Sequence, residues 1–424
     1  SASNIKGAVT NNNTLNLSGG TLSKAVSGSG TTNITGAVTS NSAISQAINI
    51  IAAGDLTISA GNIGGAVTNA GDLILTGGTL SKVVSGAGLT TISGNTTNNG
   101  GINQAVKVNS GVTLANNAAL GSANGAITNA GTINSNADYI KGTVANSGSL
   151  NLSGGTLSKA VSGSGTTNIT GNTTNNAGIN QGVNINNGVT LTNNAALGSD
   201  SGKITNAGTI NTNASNIKGT VTNNNALNLS GGTLSKAVSG NGTTTISGNT
   251  TNNAGINQGV NVNSGVTLTN NAALGSDNGK ITNAGTINTN AGNIKGAVTN
   301  NNALNLSGGT LSKAVSGSGT TTISANATNN GGISQKVNVS SGVTLTNNAA
   351  LGSDSGVVTN SGTINTSASN IKGAVTNNNT LNLSGGTLSK VVSGSGTTNI
   401  TGDVTSNSAI SQAISITSTG GRDD

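Results

Sequence analysis

The sequence predicts an all-β chain: a right-handed parallel β-helix (a solenoid) of about 22 coils, with a 77-residue super-repeat of four coils. Three observations lead there. First, the phrase G-G-T-L-S-K-[AV]-V-S-G recurs with its leucine at Leu22, Leu80, Leu157, Leu234, Leu311 and Leu388, in steps of 58, 77, 77, 77 and 77 residues. A fixed period of this kind belongs to a chain whose units stack only on their neighbours. Second, every unit carries short runs of Val, Ile, Leu and Thr with apolar residues at alternate positions, the pattern of strands with one buried face. Third, clusters of Gly and Asn separate the runs, and both residues accept tight corners at low cost.

Within one unit the strands start at Val221, Val238, Val260 and Ile281, then at Val298 in the next, in steps of 17, 22, 21 and 17 residues. The phrase I-T-N-A-G-T-I-N at Ile127, Ile204 and Ile281 reads as strand, corner, strand. Leu227 and Leu229, or Val189 and Leu191, point the same way into the core. No helix is expected at this density of Gly and β-branched residues. Coils of such length, stacked at one strand spacing of about 4.8 Å, make a rod of roughly 100 Å. The hand follows from the usual sense of parallel crossovers. The single 58-residue step is a unit with one coil fewer. Recurrent asparagines at one corner (Asn69, Asn129, Asn146, Asn206, Asn223, Asn283, Asn300, Asn360 and Asn377) are expected to stack as a ladder of side-chain amides. Residues 1–424 read as one continuous solenoid, a piece of a longer chain.

Composition narrows the chemistry. The 424 residues include no His, Cys, Pro, Met, Trp or Phe, one Tyr, and Asp as the only carboxylate side chain. Without His or Cys there is no Ser-His-Asp or Cys-His nucleophile system, and no ordinary transition-metal site. No catalytic residue, metal ligand or cofactor site is therefore expected. Nine scattered Asp and no Glu do not make the acidic clusters that calcium needs. No apolar run is long enough to span a membrane. One Arg and no aromatic platform argue against nucleic acid.

Three features could carry contacts. The long turns, G-N-T-T-N-N-A-G-I-N-Q at Gly171 to Gln181 and Gly248 to Gln258, are expected to bulge at one corner. They would form a row of knobs about 19 Å apart. Lysines fall one to three residues before strand starts: Lys141, Lys159, Lys203, Lys218, Lys236, Lys280, Lys295, Lys313, Lys372 and Lys390. They predict a broken basic stripe along the rod, with Asp200, Asp277 and Asp354 close by. Such a stripe guards against lateral sheet pairing, or draws the molecule to a host-cell or anionic polysaccharide surface. Outward Thr triplets, Thr243 to Thr245 and Thr320 to Thr322, return too rarely to favour ice binding, which stays a minor alternative.

The I-T-N-A-G-T-I and L-N-L-S-G-G-T-L phrases, with the long tandem units, resemble the passenger region of bacterial autotransporters and related haemagglutinin-like repetitive adhesins. The resemblance covers the whole chain and rests on repeat style. It implies a right-handed β-helix, export, and display at the bacterial cell surface or outside the cell. The aromatic-rich C-terminal barrel of that group has no counterpart in the sequence, and no family site residue carries over. The expected role is a non-enzymatic rigid stalk or adhesin with multivalent weak contacts. The alternative is a self-assembling extracellular filament or surface-layer component that associates end to end.

Overall fold

The computed structural model describes residues 1–417. The chain divides into two compact units, Ser1–Ile210 with Lys218–Thr220, and Asn211–Ile217 with the chain from Val221 on. Both are all-β solenoids of parallel stacked coils, and strand makes up 51% of the chain.

Each coil has three straight sides. In the first unit a coil consists of Val9–Thr10, Thr14–Leu17 and Gly20–Leu22. The next coil lays Val26–Ser27, Thr31–Ile34 and Ala37–Ser40 on them in parallel, with Val9 opposite Val26, Leu15 opposite Thr32 and Leu22 opposite Ser40. The second unit repeats the arrangement, with Val221 opposite Val238, Leu227 opposite Thr244 and Leu234 opposite Asn252. A side that has lost its strand is kept in place by a single parallel bridge. Val238 bridges to Ile256, Ile256 to Leu274 and Leu274 to Ile294.

These one-residue sides change the coil count. Val221 and Val238 do share a side, but Val260 does not join them. It pairs with Thr244 below and Ile281 above, and Ile256 takes the place over Val238. The 22-residue step from Val238 to Val260 is thus one coil plus one side. Each 77-residue unit then holds thirteen sides, which is four coils and one side more, and the 58-residue step holds ten. The chain has about 24 coils, not 22. The pattern also moves on by one side per repeat. The column of Ala226–Leu229, for example, runs through Thr244, Val260 and Ile281 to Val298 of the next repeat, whereas the counterpart Ala303–Leu306 stacks on Thr286–Thr289.

The core is a column of inward Val, Ile and Leu along each side. Leu227, Leu229, Ile246, Ile256, Val260 and Ile281 are all fully buried at 0% exposure. Burial of each such side chain stabilises by about 1.5–3 kcal/mol. No α-helix is described, but six one-turn 3-10 helices are, at corners such as Ala137–Tyr139 and Ala291–Asn293. They correct the expectation of no helix. Asn136 and Asn290 cap their turns by accepting from the backbone N–H two residues on.

Candidate functional site

The outward positions of the sides carry rows of asparagine. In the first unit Ala115, Asn134, Asn151, Asn168 and Asn184 stand directly over one another. The amides bond along the row: Asn151 Nδ2 donates to Asn134 Oδ1 at 2.7 Å, Asn168 to Asn151 at 2.7 Å, and Asn184 to Asn168 at 3.0 Å. Beside it lies a second polar row that includes Asn117, Asn136, Ser153, Thr170 and Asn186. The two rows floor a groove of about 750 Å³, and Tyr139 lines it from the 3-10 corner. Lining side chains carry no formal charge. Two kindred grooves, of about 540 and 570 Å³, occur in the second unit over Asn288 and Asn305, and over Asn365, Asn382 and Asn399. Their positions equivalent to Tyr139 are Asn293 and Asn370. The strands flooring these two grooves belong to different sheets, so they open on different sides of the solenoid. These outward rows were missed from the sequence, although L-N-L and T-N-I alternation at Asn16, Asn33 and Asn49 is a signal for them.

The lysines gather at corners, but not in one stripe. In the second unit Lys280, Lys295 and Lys313 precede Ile281, Val298 and Val315, which are paired in three successive coils. Lys372 and Lys390 precede Val375 and Val392, also paired. The side begun by Val315 continues through Ile333 and Leu351 to Ile371, whereas Val375 sits on the following side. The basic corner therefore moves round the coil with each repeat, because the repeat is one side longer than four coils. In the first unit Lys141 and Lys159 precede the paired Val144 and Val161. Lys203 and Lys218 are exposed in that unit, and Lys236 is half-exposed in the second.

Lys313 and Lys390 are each paired with an aspartate. Lys313 Nζ pairs with Asp277, and Lys390 Nζ with Asp354, each reaching back 36 residues across two coils. The lysine's hydrogen bond, and then its charge, hold both carboxyls below the usual aspartate range. These aspartates sit on the tips of small loops. In one, Ser276 and Gly279 bond each other's backbones at 3.0 and 3.1 Å. The loops at Ser122, Ser199, Ser276 and Ser353 are the protruding insertions of the repeat.

The G-N-T-T-N-N-A-G-I-N-Q segment does not bulge. Thr173–Asn175 is a strand, Ile179 is buried, and Gln181 points into the core with 1% exposure, its Nε2 donating to Thr167 Oγ1 at 2.7 Å. Gln258 does the same with Thr244 at 2.7 Å. The expected knobs are absent because these residues supply the additional side.

The corner asparagines form ladders of two rungs. Asn129 Nδ2 donates to Asn146 Oδ1, Asn283 to Asn300, and Asn360 to Asn377, each at 2.7 Å and fully buried. Asn206 accepts from the Gly208 N–H, and Asn69 from the Gly71 N–H, in the same corner turn. Asn223 donates to the Thr243 carbonyl of the coil above. The expected long column is broken because the next coil brings a glycine over the second rung. A Cβ on Gly317 would lie 2.3 Å from the Asn300 carbonyl oxygen. A further buried ladder, unforeseen from the sequence, links Asn175 to Asn193 and Asn252 to Asn270 at 2.7 Å.

No helix among the described residues is long and apolar enough to cross a membrane. Among the described residues no group of three metal-ligating side chains comes together. Comparison with known proteins finds no matching family model, no matching curated protein and no matching solved structure.

Proposed function

We propose that the chain is a non-enzymatic scaffold, displayed at a bacterial cell surface or secreted, that makes weak contacts repeated around its sides. The observation that supports it most is the recurrence of one polar groove on different sides of the second unit. Function-bearing loops on a rigid frame are a common arrangement, and here the frame itself presents the repeated surface. Weak sites repeated along one molecule add by avidity when a partner can reach several of them. Grooves facing different ways suit a hydrated polymer network or a crowded cell coat better than a flat partner. The pairing of Lys313 with Asp277 and of Lys390 with Asp354 reduces the free positive charge. Charge attraction to an anionic surface is accordingly the lesser contribution.

The test is retention of beads coated with the purified chain on host-cell monolayers and on polysaccharide gels. The reading expects retention that survives a rise from low to physiological salt, since neutral contacts are little screened. Loss of all retention at every salt concentration sinks it. Long fibres of the purified chain in electron micrographs, without retention, would favour the end-to-end filament instead.

A further inference from the structure

We infer that the groove beside Tyr139 is a binding site for a neutral oligosaccharide. This rests on the reading that the outward grooves make the molecule's contacts, and it names the ligand class for one of them. Tyr139 is the only aromatic residue of the chain, and it stands at the largest of the three kindred grooves. It is also 38% exposed, in a fold that buries most of its large apolar side chains. The five equivalent 3-10 corners end in asparagine: Asn4, Asn62, Asn216, Asn293 and Asn370. The aromatic ring is therefore not required by the corner. The same turn closes without it, with the same Ala buried beneath.

The chemistry of the groove selects the ligand. A ring face offers an apolar platform with a negative quadrupole, which suits the C–H face of a pyranose. Alongside runs the amide row of Asn134, Asn151 and Asn168. Along the row Asn151 donates to Asn134, Asn168 to Asn151 and to the Ser149 hydroxyl, and Asn184 to Asn168, while Asn151 Oδ1 also accepts from Ser149. By amide capacity the Asn134 amide hydrogens, one Asn151 amide hydrogen and one lone pair each on Asn134 and Asn168 Oδ1 are left over from these bonds. Paired donors and acceptors are what sugar hydroxyls need, since each hydroxyl both donates and accepts. Few convergent polar groups beside an apolar surface are the usual make-up of a small-ligand site. The row climbs one strand spacing per coil, so the three amides span about 10 Å, room for about two sugar rings.

Other ligand classes fit less well. No cationic side chain lines the groove, so phosphate-bearing ligands lack a partner. An extended peptide adds to a sheet edge, but the flooring strands are already paired with the coils above and below.

The absence of Trp and Phe makes the test direct, because tyrosine fluorescence reports on Tyr139 alone. The purified chain is titrated at millimolar levels with cellohexaose, maltohexaose and hexa-N-acetylchitohexaose, and saturation-transfer NMR is recorded on the same samples. The expected result is a saturable fluorescence change with at least one of them, and transfer to the sugar ring protons. Tyr139→Asn, the residue of the other corners, should weaken transfer about tenfold or more, and Tyr139→Phe should retain it. Asn293→Tyr should add a second site in the second unit and raise the stoichiometry from one to two. Absence of transfer from every sugar overturns the proposal, whatever the bead-retention result. Equal binding by wild type and Tyr139→Asn overturns it as well, while leaving the grooves as contact surfaces.

Discussion

Asn283 shows how much one side chain does in this fold. Its Oδ1 accepts from the Gly285 N–H at 3.1 Å, and its Nδ2 donates to Asn300 Oδ1 and to the Ala303 carbonyl in the next coil. Replacement by alanine strands the buried Gly285 N–H and Asn300 amide and the half-buried Ala303 carbonyl, and an unsatisfied buried group costs about 1–3 kcal/mol. Asn283→Ala should thus lower protection of the Gly285 and Ala303 region in hydrogen exchange, with distant coils unchanged, as expected of stacked repeats. Gly317 is as specific. Its φ of 112° is costly for any L-residue, and its missing Cβ makes room for the Asn300 carbonyl. Gly317→Ala should open this corner locally by more than the roughly 1–2 kcal/mol of a left-handed residue alone. A local loss no larger than that of an exposed Gly→Ala change would refute the close approach.

Asp55 is a second residue-scale case. Burial first, and the stacked Asp72 carboxylate second, raise its pKa above the ordinary aspartate value. The folded chain therefore favours the protonated form. The charge of Asp55 penalises folding above the raised pKa, and the penalty is relieved as pH falls through it toward the ordinary value. Asp55→Asn should make the surrounding coils more protected at neutral pH and should flatten their dependence on mild acid. Amide exchange at several pH values reads both effects.

At the scale of the element, a side is either a strand of two to four residues or a single bridged Ile or Leu. Ile256 is one such single residue, fully buried and bridged to Val238 and Leu274. Ile256→Ala should cost about 2–5 kcal/mol, the range for large-to-small core changes. The loss should centre on the coils of Val238 and Leu274. The Lys–Asp clasps act across the same distance but matter less, because the aspartates are exposed and the lysines only half-buried. The contribution of Asp277 is present above the ordinary aspartate pKa and fades as pH falls through its lowered folded value. Added salt should erase it sooner than it affects any core position.

At the scale of the whole molecule, the repeat length and the coil length do not divide evenly. Thirteen sides per repeat and three sides per coil carry each surface feature to the next side at each repeat. Within the second unit, grooves and basic corners thus face different sides instead of lining one stripe. The proposed scaffold role predicts binding to soluble, flexible polymers at least as avid as binding to the same polymer fixed on a flat surface. Surface plasmon resonance in both orientations would compare them, and clear preference for the flat form would count against the reading.

The sequence by itself determined the stacked parallel architecture, because alternation of Val, Ile and Leu between Gly-Asn corners admits no other way to bury those side chains. It also placed Asn129, Asn283 and Asn360 at corners between strands; that they are buried there was decided by the stacked coils. Side count was decided only in three dimensions. Ile179, Ile256 and Ile333 each hold a side with one bridge, and no local pattern distinguishes such a residue from part of a loop. Whether Gln181 faces solvent or the core likewise depends on the Thr167 hydroxyl of the preceding coil, 14 residues back. Contacts between coils set that choice, and they exist only once the coils are stacked.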